Sequence, residues 1–158
     1  MILVVFGNAP FTFFRLAEKI DALAGAPGEE FFVQCGHTDF PFRNARAVKF
    51  MDHSTLQKHM AAATVLVSHG GCGTLCEAMR MGKKIVAVPR LAGEHNHSQR
   101  ELVEALENEG CLLAVYDIAD LEKQVHAARG FTPRTLPQGN AGRIIGDFIG
   151  KHFPDGRA

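Results

Sequence analysis

Apolar positions along this chain follow two alternating rhythms. Short apolar runs recur at Ile2–Phe6, Glu30–Cys35, Ala47–Met51, Thr64–Val67, Lys84–Pro89 and Cys111–Val115. They are too short for core helices and suit strands covered on both faces. Between them, apolar residues return at helical spacing: Phe13, Leu16, Ala17, Ile20, Leu23 and Ala24; Leu56, Met60 and Ala63; Leu102, Val103 and Leu106; Ile118, Leu121 and Val125. Pro10, Ser54, Ser98 and Asp117 are the expected openers of these helices, and Gly25, Gly82 and Gly110 their stops. A last helix is expected over residues 140–150, with Ile144, Ile145 and Phe148 inward.

Strands alternating with helices imply right-handed crossovers. The expected fold is an α/β, Rossmann-like domain: an open parallel sheet of about six strands with helices on both faces. Residues 1–129 form that domain, and 130–158 a linker and C-terminal helix that pack on it or on a partner. In such sheets ligands sit beyond the carboxyl ends of the strands. The loops 7–12, 36–44, 68–74 and 90–97 therefore converge on one edge, and they carry most of the polar residues.

The most informative loop is Ser68-His69-Gly70-Gly71-Cys72-Gly73-Thr74-Leu75-Cys76-Glu77. A buried strand, a glycine-rich turn and a helix N-terminus aim successive backbone N–H groups and the helix dipole at one point, an anion site. The lysine of a P-loop is absent, and the glycine spacing is not that of a dinucleotide fingerprint. Glu77 has two readings. Thr74-x-x-Glu77 can be a capping box, or Glu77 can be a carboxylate that accepts hydrogen bonds from a ribose diol. His69 is either an ordinary loop histidine or a donor to phosphate.

A second polar cluster is Glu94-His95-Asn96-His97-Ser98-Gln99. Ser98-x-x-Glu101 can be another capping box, which leaves the preceding residues unexplained. Carboxamides, a carboxylate and imidazoles suit a polyhydroxylated ligand such as a sugar. His69, His95 and His97 with Cys72 or Cys76 could instead ligate zinc, but the spacing matches no zinc pattern and no metal is expected.

Composition narrows the field. Lysine plus arginine equals aspartate plus glutamate, 17 against 17, so no bulk field draws in nucleic acid or an acidic membrane. Apolar content of 46% and charged content of 22% fit a globular protein, and no apolar run approaches the ~20 residues of a membrane span. Met1–Phe6 lacks the basic start and cleavage site of a signal peptide. The four cysteines, without a CxxC pair, read as reduced and mostly buried thiols of a cytoplasmic protein.

Ser-His-Gly-Gly-Cys-Gly-Thr-Leu-x-Glu-Ala, Gly-Lys-x-Ile-Val-Ala-Val-Pro-Arg and Gly-Glu-His-x-x-x-Gln together resemble the nucleotide-sugar half of GT-B glycosyltransferases. The nearest match is the family-28 C-terminal domain of MurG-like enzymes, and within it the short single-domain subunits of Alg13, PssE or EpsF type. The likeness extends from the opening strand through Phe14-Arg15-Leu16 and Gln34-x-Gly36 to about residue 128. It departs at Asn8, where relatives commonly have threonine, and in a 93–99 run one residue shorter than in some relatives.

The resemblance implies roles for individual residues. Ser68, His69, Gly70, Gly71, Gly73 and Thr74 would hold a donor pyrophosphate, and Glu77 the ribose. Pro89 and Arg90 would shape the uracil side, and Glu94, His95, Asn96 and Gln99 would face the donor sugar or its phosphate. The implied protein is the donor-binding catalytic subunit of a two-component hexosyltransferase. It would move a sugar from a UDP-sugar, its substrate, to a lipid-linked saccharide in exopolysaccharide or glycolipid biosynthesis, with no permanently bound cofactor. A membrane-anchored Alg14- or PssD-like chain would supply the acceptor domain and hold the subunit at the inner face of the membrane. The catalytic base would lie on that partner, with His69 the candidate in this chain. A UDP-sugar hydrolase or 2-epimerase-like enzyme, and a non-catalytic nucleotide-sugar-binding subunit, are the alternatives.

Overall fold

The computed structural model of the chain describes residues 1–91, Glu94 and 99–135. Six parallel strands form its sheet: β1 (Ile2–Val5), β2 (Phe31–Gln34), β3 (Arg46–Val48), β4 (Val65–Ser68), β5 (Ile85–Ala87) and β6 (Leu113–Ala114), in the spatial order β3-β2-β1-β4-β5-β6. The chain builds outward from β1 to β3, then returns to lay β4 against the other side of β1. The strand order thus reverses between β1 and β4, and a crevice opens there beyond the strand ends. In register, Val5 stands beside Gln34 on one side and Ser68 on the other.

The period-two geometry of β1 divides the core. Ile2, Val4 and Phe6 pack with Leu16, Ala17 and Ile20 of α1 (Phe14–Ala24) and with Leu121, Val125 and Ala128 of α5 (Leu121–Gly130). Leu3 and Val5 face the opposite layer. They meet Met60 of α2 (His53–Ala62), Leu75 and Ala78 of α3 (Cys72–Arg80), and Val103 and Leu106 of α4 (Arg100–Asn108). This is the expected open sheet with helices on both faces. Among the described residues no helix is long and apolar enough to cross a membrane.

Several expected boundaries move, each for a local reason. Pro10 does not open the first helix. Residues 7–13 stay non-helical, and the N–H of Phe13 donates to Thr38 Oγ1 at 2.9 Å, a bond from the far side of the loop layer. The cap of α2 is Asp52 rather than Ser54; its carboxylate accepts from the Thr55 N–H at 2.9 Å and the Thr55 hydroxyl at 2.6 Å. Asp117 caps a 3-10 turn, Ile118–Asp120, that leads into α5. Most strands are also shorter than their apolar runs, while β4 keeps four residues and shifts by one to Val65–Ser68. The expected helix at 140–150 lies outside the described residues; the chain after α5 is described as far as Thr135, and Arg134 pairs with Glu109 at 2.8 Å.

Candidate functional site

The turn after β4 is built around one buried ring. His69 is 8% exposed, and its backbone N–H and Nδ1 both lie 3.3 Å from the Val5 carbonyl oxygen. A carbonyl can only accept, so in this bond Nδ1 is the protonated nitrogen and donates. The ring fits only because two neighbours lack side chains. A Cβ on Gly7 would fall 2.6 Å from Nε2, and one on Gly71 only 2.3 Å from it. Gly7 also needs its glycine for backbone reasons, with φ at +83°. His69 thus locks the β1 and β4 loops together at the point where the strand order reverses.

Gly71 caps α3, and no side chain bonds to the helix start. The first intrahelical bond runs from the Leu75 N–H to the Gly71 oxygen at 3.0 Å, so the N–H groups of Cys72, Gly73 and Thr74 precede the ladder. They open on a cavity of about 180 Å³ lined by Gly7, Asn8, Gln34, His69 and Thr74 among others. These three N–H groups, with no capping side chain, leave this helix end suited to an anion.

The capping-box reading of Thr74 and Glu77 is therefore corrected. Thr74 is the third residue of α3, not its cap, and Glu77 turns to α2 instead. Its Oε1 accepts from Gln57 Nε2 at 2.7 Å and lies 3.5 Å from His53 Nε2. Gln99 holds the cap position of α4 without a side-chain bond, and Ser98, the expected opener of that helix, lies outside the described residues.

On the other flank, the loop after β5 is tied down by two arginines. Arg90 is 4% exposed; Nη1 donates to the Thr12 oxygen at 2.6 Å and Nη2 to the Phe6 oxygen at 2.8 Å, with the guanidinium 4.4 Å from the centre of the Phe13 ring. Burial pulls this guanidinium below the ordinary arginine value. Its charged head braces the 6–12 loop from inside, so any wall it makes for a base is through the backbone. Arg15 grips Glu94 with Nε at 2.9 and 3.2 Å and Nη2 at 3.1 Å, and also donates to the Pro89 oxygen at 2.8 Å. Glu94 accepts the Leu91 N–H at 2.8 Å as well. A hollow of about 360 Å³, lined by Pro10, Phe11, Thr12, Phe14, Arg15 and Glu94, lies on this side.

The structure thus brings His69, Gly71, Gly73 and Thr74 into one cavity. Glu77 stands on its α2 side, and Pro89, Arg90 and Glu94 on the α1 side. Ser68 ends β4 fully buried, with its hydroxyl lacking a partner among the described residues. Gln99 packs over Gly70, and its Oε1 is buried without a partner among the described residues. His95 and Asn96 lie outside the described residues. Two residues that the sequence reading left out of the site enter it. Gln34 Nε2 donates to Asn8 Oδ1 at 2.8 Å, and the buried Gln34 Oε1, without a partner among the described residues, belongs to a cavity-lining residue. Their signal was present, because a glutamine ending an otherwise apolar strand needs a polar reason to be buried.

The fold is the Rossmann-like architecture of the C-terminal half of GT-B proteins. The family profile "Glycosyltransferase family 28 C-terminal domain" matches residues 1–141, and the chain belongs to that family. Among solved structures it resembles CalG4, the calicheamicin glycosyltransferase, at 20% identity over 97% of this chain and 43% of that one, with a TM-score of 0.66. MurG of Acinetobacter baumannii is similar at 20% identity, 95% and 49% coverage and a TM-score of 0.57. The UDP-GlcNAc 2-epimerase of Neisseria meningitidis, solved bound to UDP-GlcNAc, aligns at 16% identity over 96% of this chain and 44% of that one, with a TM-score of 0.63. These likenesses are of fold, and the chain spans less than half the length of each.

Proposed function

We propose that this chain binds a UDP-sugar at the Gly71–Glu77 helix start and serves as the donor-binding subunit of a two-component glycosyltransferase. The observation that carries the reading is the α3 N-terminus, closed by glycine alone and open to a cavity walled by His69 and Thr74. Fixed N–H groups there would stabilise charge on a departing diphosphate without reorganisation. Glu77, on the same helix and turned to the α2 flank, would accept from the ribose. The sugar would then point toward the 90s loop, where Glu94 and Gln99 stand and His95 and Asn96 follow in sequence.

The acceptor would come from a second, membrane-anchored chain that supplies a lipid-linked saccharide. Phe14 and Leu91, large apolar side chains 45% and 50% exposed, border the Arg15–Glu94 side and suit a docking face. The acceptor hydroxyl needs a base at hydrogen-bonding distance, and that group is assigned to the partner. His69 is the candidate within this chain, although its burial between Gly7 and Gly71 favours a positioning role. The test is sugar transfer from radiolabelled UDP-sugars to a lipid-linked acceptor, with and without an acceptor-domain chain. Transfer only with both chains supports the reading; full transfer by this chain alone overturns the two-component claim.

A second reading, a hydrolase or 2-epimerase-like enzyme, is favoured by the likeness to a 2-epimerase bound to UDP-GlcNAc. It predicts UDP release from the donor with no acceptor present. A silent nucleotide-sugar-binding subunit would bind UDP and turn over nothing.

A further inference from the structure

Cys72 and Cys76 stand one turn apart on α3 with their Sγ atoms 3.7 Å apart. Cys72 is exposed and Cys76 half-buried, whereas Cys35 and Cys111 are buried in the core. Cys72 also lines the same cavity as His69 and Thr74, and it is the first residue of the helix. We propose that these two thiols are a dithiol modification site for low-molecular-weight disulfides. Closure to a Cys72–Cys76 disulfide opens the first turn of α3 and dismantles the anion cradle.

Geometry couples closure to unwinding. Residues four apart on a helix hold their Cβ atoms about 5–6 Å apart, while a disulfide needs about 3.5–4.5 Å. The bond cannot close on an intact turn. One partner is the helix's first residue, where the ladder has only begun with the Leu75 N–H to Gly71 oxygen bond. That turn is the least supported part of α3, and the same turn presents the N–H groups of Cys72, Gly73 and Thr74 to the cavity.

The chemistry balances without a protein-bound oxidant. The Cys72 thiolate attacks one sulfur of the small disulfide, forming a mixed disulfide and expelling one small thiolate, which takes up a proton. Cys76, having released its proton to solvent, attacks the Cys72 sulfur; the protein disulfide forms and the second small thiol leaves. Two protein thiols are oxidised and one small disulfide is reduced to two thiols. Burial and the neighbouring Cys72 push the Cys76 thiol up, which leaves exposed Cys72 as the point of entry.

The link to donor binding rests on the proposed nucleotide-sugar site; the disulfide and its effect on the helix do not. The test treats the reduced full-length chain with oxidised glutathione, followed by peptide mass spectrometry and amide hydrogen exchange. The expected result is a Cys72–Cys76 cross-link, with exchange of the α3 first-turn amides at least about tenfold faster and restored by dithiothreitol. Cys76→Ser should stop at a glutathione adduct on Cys72. Absence of the cross-link, or a cross-link with unchanged exchange, overturns the proposal. UDP affinity, measured on the same samples, should fall at least about tenfold on oxidation. No UDP binding by the reduced chain would refute the nucleotide-sugar reading, while mass and exchange still decide the dithiol. Unchanged UDP affinity after cross-linking would refute the dismantled cradle.

Discussion

The imidazole of His69 fills the space that a side chain on Gly71 would need: a Cβ there falls 2.3 Å from Nε2. The helix cap and the ring are thus one fitted unit. Gly71→Ala must displace the ring or the helix start, at a cost of ~1–3 kcal/mol by analogy with overpacking. In a His69→Ala background the same change should cost clearly less. Chemical unfolding of the two singles and the double measures this; strict additivity would show that the two residues do not share the space.

Glu77 bonds to Gln57 and leaves its own helix start uncapped. Its removal should therefore touch ligand more than helix. Glu77→Ala is expected to weaken UDP binding by ~1.5–3 kcal/mol, the range of a charge-assisted bond, with little change in melting temperature. Calorimetric titration with UDP and with 2′,3′-dideoxy-UDP separates the two roles. The variant should bind both about equally, while the parent chain prefers UDP.

Arg15 and Glu94 are 79 positions apart in sequence and joined side-on, with side chains 19% and 23% exposed. Partial exposure weakens the pair, and two parallel bonds strengthen it. A double-mutant cycle with alanine at both positions should give a coupling of about 1 kcal/mol in urea unfolding. A coupling indistinguishable from zero would show that the 90s loop is not held through this pair.

Asp21 organises the turn before β3. One oxygen accepts the N–H groups of Arg43, Asn44 and Ala45 at 2.9, 2.8 and 3.1 Å. Burial pushes this carboxyl up, but the three backbone donors and the Arg43 charge outweigh it and hold it below its usual value. A depressed folded pKa gives stability that is present above the unfolded value, about 3.9, and is lost as pH falls through the folded value. Asp21→Ala should destabilise by ~2–3 kcal/mol at neutral pH, since three donors lose one charged acceptor. Asp21→Asn should flatten the stability loss below pH ~4; an unchanged acid limb would contradict the assignment.

What could be read in the sequence was local. The apolar runs of β1 and β4 and the glycine turn follow from short-range pattern, and the structure has them. The misreadings come from contacts between distant residues. Phe13 continues a helical rhythm, but its N–H is claimed by Thr38, so α1 begins at Phe14. Thr74 and Glu77 have the spacing of a capping box, yet Gly71 takes the cap because the chain must pass beneath His69. The Gln34–Asn8 pair and the burial of Arg90 against the Phe6 and Thr12 carbonyls depend on strand order, which spacing alone does not encode.

The central claim is that the α3 start binds the diphosphate of a UDP-sugar. Titration of the reduced, isotope-labelled chain with UDP, followed by amide NMR, tests it most directly. The account predicts saturable shifts concentrated at the amides of Gly71, Cys72, Gly73 and Thr74 and at Glu77. Saturable binding whose shifts fall instead at the opposite, amino-terminal ends of the strands, around Glu29 and Arg129, would contradict it.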